Sequence, residues 1–392
     1  MPNIEPIRRA LEAAIGPDRI PGIAAAVATN DGVIFEGAVG KKSKLQSAPM
    51  TTDTVFRIAS MTKAITATAA LQLVEQGKLA LDQPAKEILP FLGETKVLTG
   101  FDTNGPLLRP PRTEITLRNL LTHTAGFAYD TWNANIARYA SETKIPAMRT
   151  AKSAAFKVPL VRDPGERWEY GVNIEMVGRM VEAASGFDLE TYMQKHILMP
   201  LGMRDTSYIA RPAWDDRLAG VHARKAEGRL EAFAHPPIDE AKREFFPGGG
   251  GLYPTAPDYL RFLRALLNGG ELDGARILQK DTVALMGENH MGALNVEPLP
   301  TFNPQLSNPV DLMPGIVKKW GLSFLINTQA LPGGRSAGSL AWAGLINTYF
   351  WLDPSAKVAA VFMTQILPFA DGTVLAALDA FERAVYEVVR KE

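Results

Sequence analysis

The chain has 392 residues, of which 46% are hydrophobic, enough for one large domain or two smaller ones. Lysine plus arginine and aspartate plus glutamate number 42 each, so the net charge is zero, and we expect neither a nucleic-acid nor a membrane partner. Cysteine is absent, which excludes disulfide bonds, thiolate catalysis and cysteine metal ligands.

The N-terminal segment predicts an amphipathic helix followed by a β-hairpin. Residues 1–16 mix acidic with basic side chains and lack the apolar core of a signal peptide, so we expect a soluble, cytoplasmic protein unless a leader has been trimmed. No run of about 18 apolar residues could span a bilayer. Two short apolar runs, 22–29 and 33–39, flank an Asp-Gly turn and predict the two strands of the hairpin.

The rest of the chain predicts central helices and C-terminal strands. Helices are expected at 60–76, 115–122, 173–185, 187–197, 256–268 and 279–287. Strands are expected at 320–327, 341–352 and 358–364, and a last helix at about 372–391. Five prolines within residues 295–315 predict an irregular connection that returns the chain to the strands.

This order of elements indicates an α/β (α+β) fold with one antiparallel sheet built from both chain ends. The first and last helices would cover one face of the sheet. We predict a sheet domain from residues 1–58 and 316–392, and a mainly helical domain of residues 59–315 inserted between them. The active site would lie at their interface.

One lysine is isolated in an otherwise uncharged segment. Lys63 is the only charged residue between Arg57 and Glu75, and small and apolar neighbours on every side predict a buried helix. Ser60 precedes it by three residues and would share its helix face, where a lysine base activates a serine nucleophile. The spacing alone is a weak signal, because a second Ser-x-x-Lys occurs at 141–144 in a charged stretch. A snorkelling lysine at a helix N-terminus is the alternative interpretation.

Three further segments follow Ser60 and Lys63 in a familiar order. The sequence has Leu-Leu-Thr-His-Thr-Ala-Gly at 120–126, Arg-Trp-Glu-Tyr-Gly-Val-Asn at 167–173 and Trp-Ala-Gly at 342–344. Together these segments resemble the motif set of the serine β-lactamases and penicillin-binding proteins. The Trp-x-Gly motif resembles that of the family VIII carboxylesterases. Smaller matches at 200–203 and 248–252 extend the resemblance from about residue 20 to the C-terminus.

The resemblance implies a β-lactamase-like fold and a catalytic set of Ser60, Lys63 and Tyr170. Ser60 would attack an ester carbonyl and become acylated, while Tyr170 paired with Lys63 would move protons to the leaving alcohol and from the hydrolytic water. Which of the two is the resting base stays open. The backbone N–H groups of Ser60 and Leu345 would form the oxyanion hole. No metal ion or organic cofactor is implied.

Two positions depart from the class C β-lactamases. Their Tyr-x-Asn motif has valine at 172 here, with Asn173 one residue late. Their Lys-Thr-Gly strand has Trp342 in place of the lysine that binds a substrate carboxylate, and tryptophan offers an apolar wall instead. We therefore expect short- to medium-chain acyl esters of small molecules as substrates, with weak β-lactamase activity. The expected substrate-binding residues are Phe127, Tyr129, Asn173, Trp342 and Gly344.

Other functions stay open from sequence. A β-lactamase or a D-amino-acid or DD-peptidase is the enzymatic alternative, and a penicillin-binding sensor or non-catalytic binding module is the alternative of another class.

Three remaining features are interpreted as structural. A Gly-x-Ser-x-Gly segment at 334–338 matches the nucleophile elbow of α/β-hydrolases, but no histidine follows His290 to complete that triad, so Ser336 is assigned to a loop. His123 has no metal-ligand pattern around it, and we expect it to bond a loop backbone. The glycines at 248–251 lack the lysine of a phosphate-binding loop and predict a tight turn near the active site.

Overall fold

The computed structural model describes residues 3–45, 47–235, 238 and 240–390. Its α-helices are α1 Glu5–Ala14, α2 Thr62–Glu75, α3 Leu117–Leu121, α4 Ala134–Thr143, α5 Asn173–Ser185, α6 Leu189–Met193, α7 Ala256–Leu267, α8 Lys280–Met286 and α9 Gly372–Val389. Its strands are β1 Gly22–Thr29, β2 Gly32–Gly40, β3 Val97–Asp102, β4 Gly105–Arg109, β5 His222–Arg224, β6 Leu230–Ala232, β7 Glu271–Leu272, β8 Ala275–Arg276, β9 Lys318–Trp320, β10 Leu325–Asn327, β11 Leu340–Gly344, β12 Thr348–Asp353, β13 Val358–Met363 and β14 Ile366–Leu367.

A seven-stranded antiparallel sheet joins the two ends of the chain. Its strand order is β2-β1-β13-β12-β11-β10-β9, so the N-terminal hairpin pairs with the last long strand. Ala24 lies opposite Met363, and Thr29 lies opposite Val358. The predicted sheet from both chain ends is confirmed.

Helices cover both faces of this sheet. Phe350 and Trp351 are neighbours in β12 and therefore point to opposite faces. The Phe350 ring contacts Tyr259 of α7 at 5.3 Å between centroids, and the Trp351 ring contacts Phe381 of α9 at 5.7 Å. Helix α1 packs beside α9. Because both faces are covered, β12 and β13 are buried along their whole length. Their sequences are accordingly apolar without alternation, at 349–352 in β12 and throughout β13.

Two of the predicted strands are wrong in extent, because each is a pair of strands joined by a turn. Residues 341–352 contain β11 and β12, and the chain reverses at 345–347, where Asn347 has a φ of 59°. Residues 320–327 contain the ends of β9 and β10 around a turn in which Ser323 has a φ of 76°. These turns are apolar or buried, so they carry little of the polar signal that marks an exposed turn.

Helix α5 has its predicted bounds, 173–185, and the other predicted helices are observed with shifted ends. The helix expected from residue 60 begins at Thr62, after a 3₁₀ turn at Ala59–Met61. Helix α6 continues as one π-helical turn, Gln194–Leu198. The last helix ends at Val389, and residue 391 of the predicted range lies outside the described residues. No helix in the described ranges is both long and apolar enough to cross a membrane.

The proposed division into two domains stays a prediction. Helix α7 belongs to the central region of the chain, yet it packs on the sheet formed by the two ends.

The end of β11 touches the chain just before Ser60. A Cβ atom at Gly344 would lie 2.2 Å from the carbonyl oxygen of Ile58 and 2.2 Å from Oγ1 of Thr348. Both distances are far below van der Waals contact, so only glycine permits this approach. The contact sets the distance between the sheet and Ser60.

We expect Gly344→Ala to separate β11 from Ile58 and to slow the reaction of Ser60 with a fluorophosphonate by about 100-fold, the typical effect of a displacement near 1 Å at a reactive centre. Mass spectrometry of the labelled serine measures the rate, and thermal unfolding reports the fold. Gly100→Ala is the control, because a Cβ atom at Gly100 meets nothing within 4 Å. Equal labelling rates in the two variants would contradict the assignment.

Candidate active site

Ser60 and Lys63 lie at the start of a buried helix. The 3₁₀ turn Ala59–Met61 presents Ser60 in a partly exposed position, whereas Lys63 in α2 is 1% exposed. The Lys63 Nζ donates a hydrogen bond to Ser60 Oγ at 2.9 Å. Ala59 has a φ of 42°, a conformation that non-glycine residues rarely adopt and that is often found beside functional groups. The geometry places a nucleophile within reach of solvent and a lysine beneath it.

The Lys63 amine has three acceptors. Besides Ser60 Oγ, the Nζ donates to the carbonyl oxygen of Gly249 at 2.7 Å and to Tyr129 Oη at 3.2 Å. An ammonium group has three N–H donors, and a neutral amine has two. The site is therefore complementary to the charged form of Lys63.

Tyr170 lies beside this pair in an aromatic cluster. Its ring centroid is 5.1 Å from Lys63 Nζ, 4.9 Å from the ring of Trp342 and 4.8 Å from the ring of His123. Trp342 Nε1 donates a hydrogen bond to Tyr170 Oη at 3.0 Å. The sequence predicts only an apolar surface for Trp342. The structure adds a neutral hydrogen-bond donor to the tyrosine oxygen, at the motif position where class C enzymes have a lysine.

Two backbone N–H groups are available as an oxyanion hole. Neither Ser60 N–H nor Leu345 N–H donates a hydrogen bond to any acceptor in the described part of the chain. The Gly344–Ile58 contact brings their two segments together. An unpaired pair of N–H donors at this position can stabilise negative charge that develops on a carbonyl oxygen.

His123 and Asn173 support the wall behind Tyr170. His123 is fully buried, and burial together with Lys63 holds its pKa well below the usual range, so the ring is neutral. Asn173 Nδ2 donates to His123 Nδ1 at 2.9 Å, which leaves the ring proton on Nε2. The same amide group lies 3.3 Å from the carbonyl oxygen of Phe127. Asn173 and Phe127 are fully buried, so this geometry does not support the predicted substrate contacts of either residue.

Glu175 is part of the site and was missed by sequence analysis. It lies in the first turn of α5 with 4% of its surface exposed. Its Oε2 accepts a hydrogen bond from Gly249 N–H at 2.7 Å, and its Oε1 accepts one from Tyr129 Oη at 3.4 Å. A usable signal exists, because Glu175 is the only charged residue between Glu169 and Arg179.

Burial raises the pKa of both titratable groups that flank Lys63, Glu175 and Tyr129. It raises the pKa of Glu175, although Lys63, the Gly249 N–H and Tyr129 act in the other direction. Burial and the neighbouring Glu175 raise the pKa of Tyr129 well above its usual value, so Tyr129 stays a phenol. It can therefore accept from Lys63 and donate to Glu175 at the same time.

The glycine run at 248–251 forms a tight turn at the site. Thr66 Oγ1 of α2 donates to the carbonyl oxygen of Gly248 at 2.6 Å. A Cβ atom at Gly248 would lie 2.4 Å from the carbonyl oxygen of Ile174 in α5. The turn is thus inserted between α2 and α5, and it directs the Gly249 carbonyl group to Lys63.

The competing serines lie elsewhere. Ser141 and Lys144 are both exposed at the end of α4. Ser336 precedes β11 in a loop, and its backbone N–H donates to Asp353 Oδ2 at 2.7 Å. Neither serine has a lysine or histidine among its hydrogen-bond partners in the described residues.

A cavity of about 230 Å³ borders Tyr170. Pro298 and Pro300 of the connection at 295–315 lie in one wall of it, and both aromatic and charged side chains line the rest, the charged ones including Arg162, Arg167 and Glu169. Its lining includes Trp132, Trp168, Tyr170, Leu299 and Phe302. The described residues include no group of three or more His, Asp or Glu side chains placed to hold a metal ion.

Comparison with known proteins identifies similar proteins over nearly the whole chain. The beta-lactamase family profile matches residues 7–384. The ML-236A carboxylate methylbutanoyltransferase of Penicillium citrinum is 31% identical over 405 residues, which cover 99% of this chain and 95% of that protein. A lovastatin esterase of Penicillium rubens is 31% identical over 392 residues, 96% of each chain.

A solved structure gives the same result. Unliganded simvastatin synthase from Aspergillus terreus superimposes with a TM-score of 0.83 at 30% identity, over 99% of each chain. The fold predicted from the motifs is confirmed. The chain therefore belongs to the beta-lactamase family, among its hydrolytic and acyl-transferring serine enzymes.

Proposed function

We propose that the protein is a carboxylesterase of the family VIII type, which cleaves neutral carboxylic esters through an acyl-enzyme on Ser60. The observation that carries the proposal is the hydrogen bond from Trp342 Nε1 to Tyr170 Oη, next to the Ser60–Lys63 pair. Trp342 donates a hydrogen bond to the tyrosine, but it carries no positive charge that could bind an anionic substrate. A lactam or peptide carboxylate therefore lacks the lysine that would bind it at this position.

The first half of the reaction acylates the enzyme. Tyr170, as a phenolate, accepts the Ser60 proton while Ser60 Oγ bonds to the ester carbonyl carbon. The negative charge on the carbonyl oxygen is held by the N–H groups of Ser60 and Leu345. Collapse of this intermediate breaks the bond to the alcohol, which leaves with the proton from Tyr170.

The second half releases the acid. Tyr170 takes a proton from water, and the hydroxide attacks the acyl carbon bound to Ser60. When the intermediate collapses, the Ser60 oxygen recovers its proton from Tyr170. In both halves Lys63, whose Nζ lies 5.1 Å from the ring centroid of Tyr170, offsets the negative charge on the tyrosine.

The surroundings of the site can hold the apolar part of a substrate. The cavity beside Tyr170 is lined by Trp132, Trp168 and Phe302, which suit an acyl chain or the apolar part of an alcohol, and its lining also includes charged side chains such as Arg162 and Arg167. The similarity to a lovastatin esterase over 96% of each chain supports ester cleavage.

Acyl transfer to an alcohol is the second candidate. It is supported by the similarity to a methylbutanoyltransferase and to simvastatin synthase over nearly the full chain. Chemically the two functions differ only in the second nucleophile, which is water in hydrolysis and an alcohol in transfer. The acyl-enzyme and the roles of Ser60, Lys63 and Tyr170 are common to both.

Removing any one catalytic group should abolish most activity. We expect Ser60→Ala, Lys63→Ala and Tyr170→Phe each to lower kcat/KM for p-nitrophenyl butyrate by at least about 1,000-fold. Ser336→Ala is the control and should keep wild-type activity. A fluorophosphonate should label Ser60 and lose its target in Ser60→Ala, which separates an enzyme from a non-catalytic binding module. Full activity of Tyr170→Phe would remove the tyrosine from the mechanism.

The residue at 342 should determine the substrate class. Trp342→Phe keeps an aromatic surface but removes the donor to Tyr170, so kcat should fall by about 10- to 100-fold, the cost of one hydrogen bond to a charged group. Trp342→Lys should raise the kcat/KM ratio of nitrocefin to p-nitrophenyl butyrate.

Trp351→Phe is the matched control for these variants. Its Nε1 has no hydrogen-bond partner among the described residues, and its ring lies on the other face of the sheet. If nitrocefin or a D-Ala-D-Ala peptide were the better substrate of the wild-type enzyme by kcat/KM, the assignment of Trp342 would be wrong.

The acceptor can be identified from the products. With p-nitrophenyl butyrate and no added alcohol, we expect one butyrate for each p-nitrophenol over many turnovers, because water alone completes the cycle. Gas chromatography quantifies butyrate and any butyl ester after addition of 1-butanol. A single-turnover burst that resumes only when 1-butanol is added would instead identify an acyltransferase.

A further inference from the structure

Lys63 has one buried carboxylate in its hydrogen-bond network. Glu175 accepts hydrogen bonds from the N–H of Gly249 and from the Oη of Tyr129. Lys63 donates to the carbonyl oxygen of the same glycine and to the same Tyr129 Oη. Two short paths therefore join the amine to the carboxylate, one through a peptide unit and one through a phenol.

Among the other titratable groups that face this network, His123 and Tyr208 are uncharged, whereas Asp130 is a second carboxylate near Tyr129 and contributes to the raised pKa of that tyrosine. His123 is neutral because burial and Lys63 hold its pKa low. Tyr208, which faces Glu175, is a phenol whose Oη donates to the carbonyl oxygen of Pro247 at 2.8 Å. Tyr170 is the remaining ionisable neighbour of Lys63. In the described residues, Glu175 is thus the only carboxylate bonded to a partner of Lys63.

A buried ammonium without a counter-charge is strongly disfavoured. Lys63 is 1% exposed and Glu175 is 4% exposed, so water screens neither charge well. The three acceptors around the amine suit its charged form, and the carboxylate supplies the matching negative charge.

We propose that Glu175 is a positioning residue that keeps Lys63 in its ammonium form and aims it, through Gly249 and Tyr129, at Ser60. The proposal rests on the proposed acyl-enzyme chemistry at Ser60. It assigns the role of base to Tyr170, because a lysine held as an ammonium ion has no lone pair for a proton. The sequence alone does not distinguish Lys63 from Tyr170 as the base.

The main test is the charge-neutral variant Glu175→Gln. A carboxamide keeps the shape and the acceptor for Gly249 N–H but removes the charge. The Lys63 amine should then lose its proton at lower pH. We measure the rate at which a fluorophosphonate labels Ser60 as a function of pH, and we call the fall of this rate at high pH the alkaline limb. In Glu175→Gln the alkaline limb should lie about 1–3 pH units lower than in the wild type. The kcat for p-nitrophenyl butyrate at pH 8 should fall at least about tenfold, with KM nearly unchanged.

Two further variants separate charge from packing. Glu175→Asp keeps the charge, so its alkaline limb should stay near the wild-type pH even where the rate is lower. Glu182→Gln is the matched control, because Glu182 is a second carboxylate in α5 that lies outside the hydrogen-bond network of Lys63. Glu182 pairs with Arg179 and accepts a hydrogen bond from Leu189 N–H. Its pH profile should equal that of the wild type.

Two results would overturn the proposal. One is an alkaline limb of Glu175→Gln at the same pH as in the wild type. The other is an equal displacement of the alkaline limb in Glu175→Gln and Glu175→Asp. If thermal unfolding shows that Glu175→Gln does not fold, Glu175→Asp decides, and a displaced limb in that folded variant counts against the proposal. Labelling does not require an ester substrate. If the labelling profiles are as expected but no ester is turned over, the carboxylesterase function is refuted and the role of Glu175 is not.

Discussion

The site depends on a buried amine that must be fully bonded. Lys63 lies in a helix that is buried on all sides, where an unpaired charge would cost several kcal/mol. Its Nζ donates three hydrogen bonds, to Ser60 in the preceding turn, to Tyr129 in the loop after α3 and to Gly249 in the glycine turn. Satisfying one amine therefore brings together three separate parts of the chain. The hydrogen bonds of Lys63 hold Ser60 and the glycine turn in place, and the bond from Gly249 N–H to Glu175 connects that turn to the start of α5.

The sheet supplies the second half of the site through close backbone contact. Strand β11 approaches Ile58 so closely that only glycine fits at 344. This contact places the unpaired N–H of Leu345 beside the segment that carries Ser60. Covering both faces of the sheet with helices makes β11 and its neighbours rigid, so the contact is maintained by the core of the protein.

At position 342 a tryptophan stands where the resemblance to the class C β-lactamases places a lysine. An indole N–H can donate to a tyrosine oxygen as a lysine can, but it carries no charge and brings a large apolar surface. The tyrosine keeps a donor, while the attraction for an anionic substrate is lost. The preference for neutral esters in our proposal follows from this difference.

The sequence by itself determined much of the fold and the centre of the site. Apolar periodicity located the helices, the Asp-Gly turn located the first hairpin, and the isolated charge of Lys63 pointed to Ser60. These signals are local, so they can be recognised in a short window of sequence. The turns at 321–324 and 345–347 were missed because they are buried and carry little polar signal.

Only the tertiary structure decided which distant residues meet. Glu175, Tyr129 and Gly249 are separated along the chain, and no spacing rule relates them to Lys63. Asn173 looked like a displaced motif residue, yet its amide braces His123. The hydrogen bond between Trp342 and Tyr170 joins residues 172 positions apart. Such contacts depend on how the sheet, α2 and α5 pack, and packing is a property of the whole chain.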